Sequence, residues 1–235
     1  MELAALGRAL VFQFPGRATV GHSVSSGRRL LVAFGVWALL LQPAQRLLVD
    51  TLPLPREVLL PGVVLVGLVG ALFLQFCYLR LPATEIGFRQ PAKWSAEERW
   101  FLLQATLALI AVSLFAFAPI YALKWQSGGA LGLGMAILLG LVWGGVQEWI
   151  YRGWLQTELQ RRWGAAPALW LANLVFTFGP LHNRLFHWGS DQSVAWATFA
   201  AIFAIGLLFG FLYQRSGNLW LPAILHGLWP LNMPV

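Results

Sequence analysis

Glu148 and Arg152 stand four residues apart, directly after a stretch that is apolar from Gly129 to Val146. On a helix that spacing puts both on one face, where a Glu that precedes a cation can pair with it. Two further apolar runs each carry one histidine: His182 closes Phe178-Gly179-Pro180-Leu181-His182, and His226 lies inside Leu219–Val235. One carboxylate and two imidazoles can remove a proton from water, orient it and stabilise a developing oxyanion. Two His and one Glu are also a plausible zinc set with an open position, although the His-Glu-x-x-His helix of many metalloproteases is absent. Singly, each group has a plainer explanation: His182, beside Asn183 and Arg184, snorkels to an interface, and Glu148 with Arg152 bolts helices together. Three such accidents on three separate segments make the plain account weaker than a shared site. His22 and His187 fall in flanking segments and receive no role.

The elements that must position these groups are membrane helices. Of 235 residues, 58% are hydrophobic and 11% charged, against roughly 25% charged in soluble domains. Sixteen Phe and thirteen Trp exclude a disordered chain. The net charge of +7 is spread between apolar runs rather than gathered in a patch, so no nucleic-acid partner is expected. Cys77 is the only cysteine and lies in a plain apolar run, which leaves no disulfide framework. Ser113 and Ser193 lack a local partner pattern for nucleophilic catalysis.

About twenty apolar residues in a helix cross a bilayer. Runs of that order cover Val58–Leu79, Trp100–Leu123 and Ser193–Tyr213, with interrupted runs at Leu30–Val49, Gly129–Trp154 and Ala165–Leu181. The short C-terminal run ends within the membrane. The expected fold is all-α, a polytopic transmembrane bundle of about seven helices. Residues 1–29 form an N-terminal cytoplasmic segment that is retained, and 30–235 a single integral-membrane domain. With the N-terminus inside, Arg8, Arg17, Arg28, Arg29, Arg80, Arg89, Lys93, Arg99, Arg161, Arg162 and Arg215 lie on the cytoplasmic side, and only Arg46, Arg56, Lys124 and Arg184 outside. Trp100, Trp125, Trp154, Trp163, Trp188 and Trp220 are expected to anchor span ends at headgroup depth. Gly140 with Gly144, and Gly206 with Gly210, are spaced for close helix packing within the chain.

The polar residues also resemble a family. Gln147-Glu148-Trp149-Ile150-Tyr151-Arg152-Gly153 is similar to the Glu-Glu-x-x-x-Arg-Gly motif of the CPBP family, the CAAX-protease and bacteriocin-processing intramembrane proteases. Phe178 to His182 resembles its Phe-x-x-x-His motif, and Asn218 to Gly227 resembles the approach to its His-x-x-x-Asn motif. Glu85-Ile86-Gly87-Phe88-Arg89 is similar to a Leu-Gly-Leu-Arg stretch often found upstream in bacterial members. The resemblance runs from about residue 83 to 235. It implies an intramembrane peptidase of the bacterial cytoplasmic membrane that hydrolyses a peptide bond near the membrane boundary. Water activated by Glu148, His182 and His226 would be the nucleophile, with Arg152, Gln147, Phe178 and Asn232 in support and no cofactor, zinc being the less favoured option. Its partners would be the lipid bilayer and a membrane-associated peptide or protein.

Two positions depart from the motifs. Gln147 occupies the place where the family usually has its basic Glu, and Pro230 the place of its Asn, with Asn232 nearby. A catalytically degenerate homologue, acting as a membrane peptide-binding or immunity protein, is therefore the alternative. A proton-relaying transporter is a third class, but no internal inverted symmetry supports it.

Overall fold

A computed structural model of the chain describes residues 4, 24–182 and 192–229. Asn232 and Pro230, like His22, Arg184, His187 and Trp188, lie outside the described residues. Among the described residues the chain is helical, without strands. Five helices among the described residues are long and apolar enough to cross a membrane: Gly27–Thr51, Val58–Leu79, Ala96–Ala116, Gly128–Trp163 and Ala195–Ser216. Large apolar side chains such as Phe115, Leu131 and Leu39 face outward, as lipid contact demands. The protein is an integral membrane helix bundle.

Helix α1 (Val24–Val36) passes through a π-helical turn at Trp37–Leu41 into α2 (Gln42–Thr51). Helix α3 (Arg56–Phe73) ends in a second π-helical turn, Leu74–Leu79. Helix α4 (Ala96–Ala116) starts four residues earlier than the apolar run suggests, because Ser95 and Glu98 form a capping box. The Ser95 hydroxyl accepts from the Glu98 amide at 3.2 Å, and the Glu98 carboxylate accepts from the Ser95 amide at 2.7 Å.

The expected span Trp100–Leu123 is not one helix. It breaks at Phe117 (φ −123°, ψ 17°), and a new helix, α5 (Ala118–Glu148), begins with Pro119 in its first turn. Proline lacks an amide donor and disfavours the helical conformation in the residue before it, so Pro119 restarts a helix rather than continuing one. Within α5, Gly129 (φ 59°, ψ −150°) makes a second break, in a conformation that only glycine adopts readily. After Glu148 the chain widens into a third π-helical turn, Trp149–Gln156, and finishes as α6 (Thr157–Trp163).

Two helices are too short to cross. Helix α7 (Ala165–Phe178) has 14 residues, about 21 Å of rise, and α9 (Trp220–Gly227) has 8, about 12 Å. Among the described residues five helices are candidate crossings in a bundle expected to have about seven helices, and the two short helices are the ones that lead to His182 and His226. The long helix α8 (Gln192–Ser216) lies between them in sequence and packs on both.

The closest approach of two helices in the site region is α5 against α9. A Cβ placed on Gly144 would lie 2.6 Å from the Gly227 amide nitrogen and 2.7 Å from its Cα. Gly206 and Gly210 likewise serve packing within the chain, receiving Asn173 from α7 and Gln156 from the third wide turn. Trp154 is not an interfacial anchor. It is fully buried and donates its indole N–H to the Gln75 side-chain oxygen at 2.7 Å.

Replacing Gly144 by Ala should force α5 and α9 apart, whereas Gly145 has open space around its Cα and should gain helix stability as Ala. In detergent, the apparent melting temperature is expected to fall for Gly144→Ala and to hold or rise for Gly145→Ala. Equal behaviour of the two variants would contradict the packing described.

Candidate active site

Glu148 ends α5, is fully buried, and meets partners from two directions. One oxygen lies 2.7 Å from Nδ1 of His226, which α9 delivers across the Gly144–Gly227 contact. The other lies 3.3 Å from Nε of Arg152, itself without exposed surface. A carboxylate beside a guanidinium stays ionised and can only accept, so Nδ1 of His226 is the donor. That fixes the tautomer and makes Nε2 the acceptor nitrogen of the neutral His226 ring.

Arg152 is held as well. Its Nη2 donates to the Gly206 carbonyl of α8 at 3.0 Å, and its guanidinium lies 4.6 Å from the centre of the Phe176 ring. Such a stack offsets part of the cost of a desolvated cation. Phe176 is the hub of the site. Its edge-on contacts include His182 at 5.1 Å and His226 at 5.8 Å between ring centres, and Tyr151 at 5.1 Å.

His182 reaches this hub because α7 stops. Gly179 is extended (φ −82°, ψ −168°), and a single tight turn follows through Pro180 and Leu181. Nδ1 of His182 donates to the Phe176 carbonyl at 2.8 Å, so in the neutral ring Nε2 is again the acceptor. Arg46, which reads in the sequence as an interruption of the first span, donates Nη2 to the Leu181 carbonyl and steadies the same turn.

The structure therefore brings Glu148, Arg152, His182 and His226 around one aromatic ring. Gln147 is buried at the start of the wide turn. Phe178 is not part of the cluster. It is 40% exposed and stacks on Phe199 and Phe203 of α8, 5.2 and 6.3 Å away. Phe176 takes the central place instead. The two differ by two residues on α7, which turns them toward opposite sides of the helix.

Other supporting groups carry only weak signals in the sequence. The Gln75 side chain accepts from both Trp149 (3.1 Å) and Trp154 (2.7 Å) and donates to the Leu81 carbonyl at 2.7 Å, so it clamps the wide turn that bears Arg152. The Glu85–Arg89 segment acts as a fastener. The Tyr213 hydroxyl donates to the Ile86 carbonyl at 3.0 Å, and the Leu219 amide donates to the Gly87 carbonyl at 2.8 Å. Arg89 bridges Glu98 at 3.1 Å and the Ser216 carbonyl at 3.3 Å, so the entry to α9 is pinned beneath the site.

Histidines that bind metals commonly give their other N–H to a carboxylate or a carbonyl, as both do here. Among the described residues, however, no three His, Cys, Asp or Glu side chains are grouped to hold an ion.

Comparison with curated proteins and with solved structures gives no match. Residues 129–231 match the family model described as "Type II CAAX prenyl endopeptidase Rce1-like", a range that contains Glu148, Arg152, His182 and His226 and stops short of Asn232. Over that range, somewhat under half of the chain, the sequence is similar to the CPBP family to which that model belongs.

Proposed function

We propose that the chain is an intramembrane endopeptidase in which water is the nucleophile. The observation that carries this reading is the 2.7 Å contact between Glu148 and Nδ1 of His226, with Arg152 closing the other side of the carboxylate. The sequence suggests Glu148 as the base, but burial favours a different division of labour. Glu148 has no exposed surface, whereas His226 is 8% exposed and, with Nδ1 given to Glu148, carries its lone pair on Nε2. Glu148 thus orients His226 and stabilises its cation, and Nε2 takes the proton from water as the oxygen attacks the carbonyl carbon of the scissile bond. The imidazolium then returns that proton to the leaving amine as the tetrahedral intermediate breaks down. His182 accepts a second hydrogen bond from the same water and sets its angle of attack.

The substrate is a membrane-associated peptide or protein cut near the bilayer boundary. Because the matching family model is described as a CAAX prenyl endopeptidase, a peptide with a prenylated C-terminal tail is the first probe to try. The distribution of Lys and Arg supports a cytoplasmic N-terminus, and the Glu85–Arg89 segment fits a bacterial cytoplasmic membrane. One observation favours the second reading, a homologue that binds peptides without cutting. Gln147 replaces the first acidic residue of the motif, and the remaining carboxylate is wholly engaged.

The variants differ in what they test. Glu148→Gln strands the Arg152 charge, and breaking a buried pair costs about 3–5 kcal/mol, so both turnover and melting temperature should fall. His226→Ala leaves the ion pair in place. It should lower kcat on a fluorogenic farnesylated peptide in proteoliposomes by roughly 10²- to 10⁴-fold, with a smaller fall in melting temperature than Glu148→Gln. Retained turnover in His226→Ala would refute His226 as the base. Absence of any cleavage by the wild type, with peptide affinity equal in both proteins, would identify the binder.

Metal dependence is separable. Turnover is expected to survive EDTA and 1,10-phenanthroline with the melting curve unchanged. Loss of turnover that added zinc restores would overturn the metal-free route.

A further inference from the structure

A cavity of about 220 Å³ opens between α2, α3, α5 and the turn that carries His182, and no step above uses it. Gln42, Gln45 and Arg46 line one wall, with Val63, Trp143 and Leu181 opposite. Gln42 and Gln45 are each 2% exposed. Neither the Nε2 nor the Oε1 of Gln42 meets a protein partner, nor does the Oε1 of Gln45, whose Nε2 donates to the Val63 carbonyl at 2.8 Å. Polar atoms buried without partners are costly, and in a membrane no outside water relieves them. Three such atoms from neighbouring residues at one cavity call for a small ligand that both donates and accepts.

Water meets that description. At roughly 30 Å³ each, about seven molecules fit, with amide partners on the wall to hold them. The cavity also adjoins the cluster from two sides. Leu181 precedes His182, and Arg46 bonds its carbonyl. Trp143 precedes Gly144, against which α9 sets His226. A peptidase whose carboxylate is sealed from solvent needs a store of water within the bilayer.

We infer that the Gln42–Gln45 cavity is a hydration chamber that supplies the hydrolytic water to His182 and His226. Its use rests on the peptidase reading; its wetness does not.

Val63 faces the cavity and Leu65, two residues on, is 58% exposed on the outer surface at nearly the same depth. In a Cys77→Ala background, Val63→Cys and Leu65→Cys would be treated in proteoliposomes with methyl methanethiosulfonate, which is small enough to reach both through lipid. Only a thiolate reacts, and a thiolate forms only where there is water. At least tenfold faster modification of Val63→Cys supports the chamber; equal rates overturn it. A second arm fills the cavity with Leu60→Trp, another wall position. A tenfold or greater fall in kcat with KM within twofold is expected, while unchanged turnover would refute the supply route even if the chamber is wet. If the wild type shows no turnover, the peptidase reading fails while the thiol result still decides the hydration.

Discussion

A carboxylate and a guanidinium without exposed surface stay charged in a bilayer only when each compensates the charge of the other. Glu148 and Arg152 set this constraint, and most of the surrounding structure answers to it. The insertion cost of each ion, about 2.5–3.5 kcal/mol on translocon scales, is offset by the 3.3 Å pair, the His226 hydrogen bond, the Gly206 carbonyl and the Phe176 ring. Those four partners come from α5 with its wide turn, α7, α8 and α9. The ion pair therefore ties together the elements that a proteolytic site would need to bring into register.

The wide π-helical turns are part of the same solution. The Trp149–Gln156 turn meets both of the others, Tyr151 lying edge-on to Trp37 and Trp149 and Trp154 bonding Gln75, and such turns are frequent at functional sites. The Trp149–Gln156 turn shifts the residues after Glu148 around the helix axis. It directs Trp149 and Trp154 onto a single Gln75 oxygen while Arg152 faces α8.

The long apolar runs and the rare charges within them were legible in the sequence, because membrane insertion penalises charge so steeply that length and polarity alone are informative. Glu148, Arg152, His182 and His226 stand out for that reason. The choice between Phe176 and Phe178 was not legible, since an apolar helix facing lipid on one side and protein on the other shows no hydrophobic contrast between its faces. Trp154 was misleading for the same reason: an indole near an apparent span end suits an interface, and only the position of Gln75 makes it internal. Pro119 was readable as a restart signal, but apolar residues continue on both sides and mask it. Gln42, Gln45 and Arg46 looked like flaws in a span. Polar groups that face inward and polar groups that mark a loop are identical in one dimension.

Where α7 stops within the membrane, its last carbonyls have no helical donors and cannot turn to solvent. The turn provides some partners: the Gly179 amide bonds Val175 at 3.0 Å, and the His182 amide bonds Gly179 at 3.2 Å. Side chains provide the others, His182 on Phe176 and Arg46 on Leu181. A helix that ends at this depth needs cationic or N–H-bearing side chains beside it, and the same groups then stand next to Glu148 and His226. The first helical hairpin, which lies outside the matched range, thus contributes Arg46 to the end of a helix inside that range. A segment beginning at Gly129 would leave the Leu181 carbonyl without that donor.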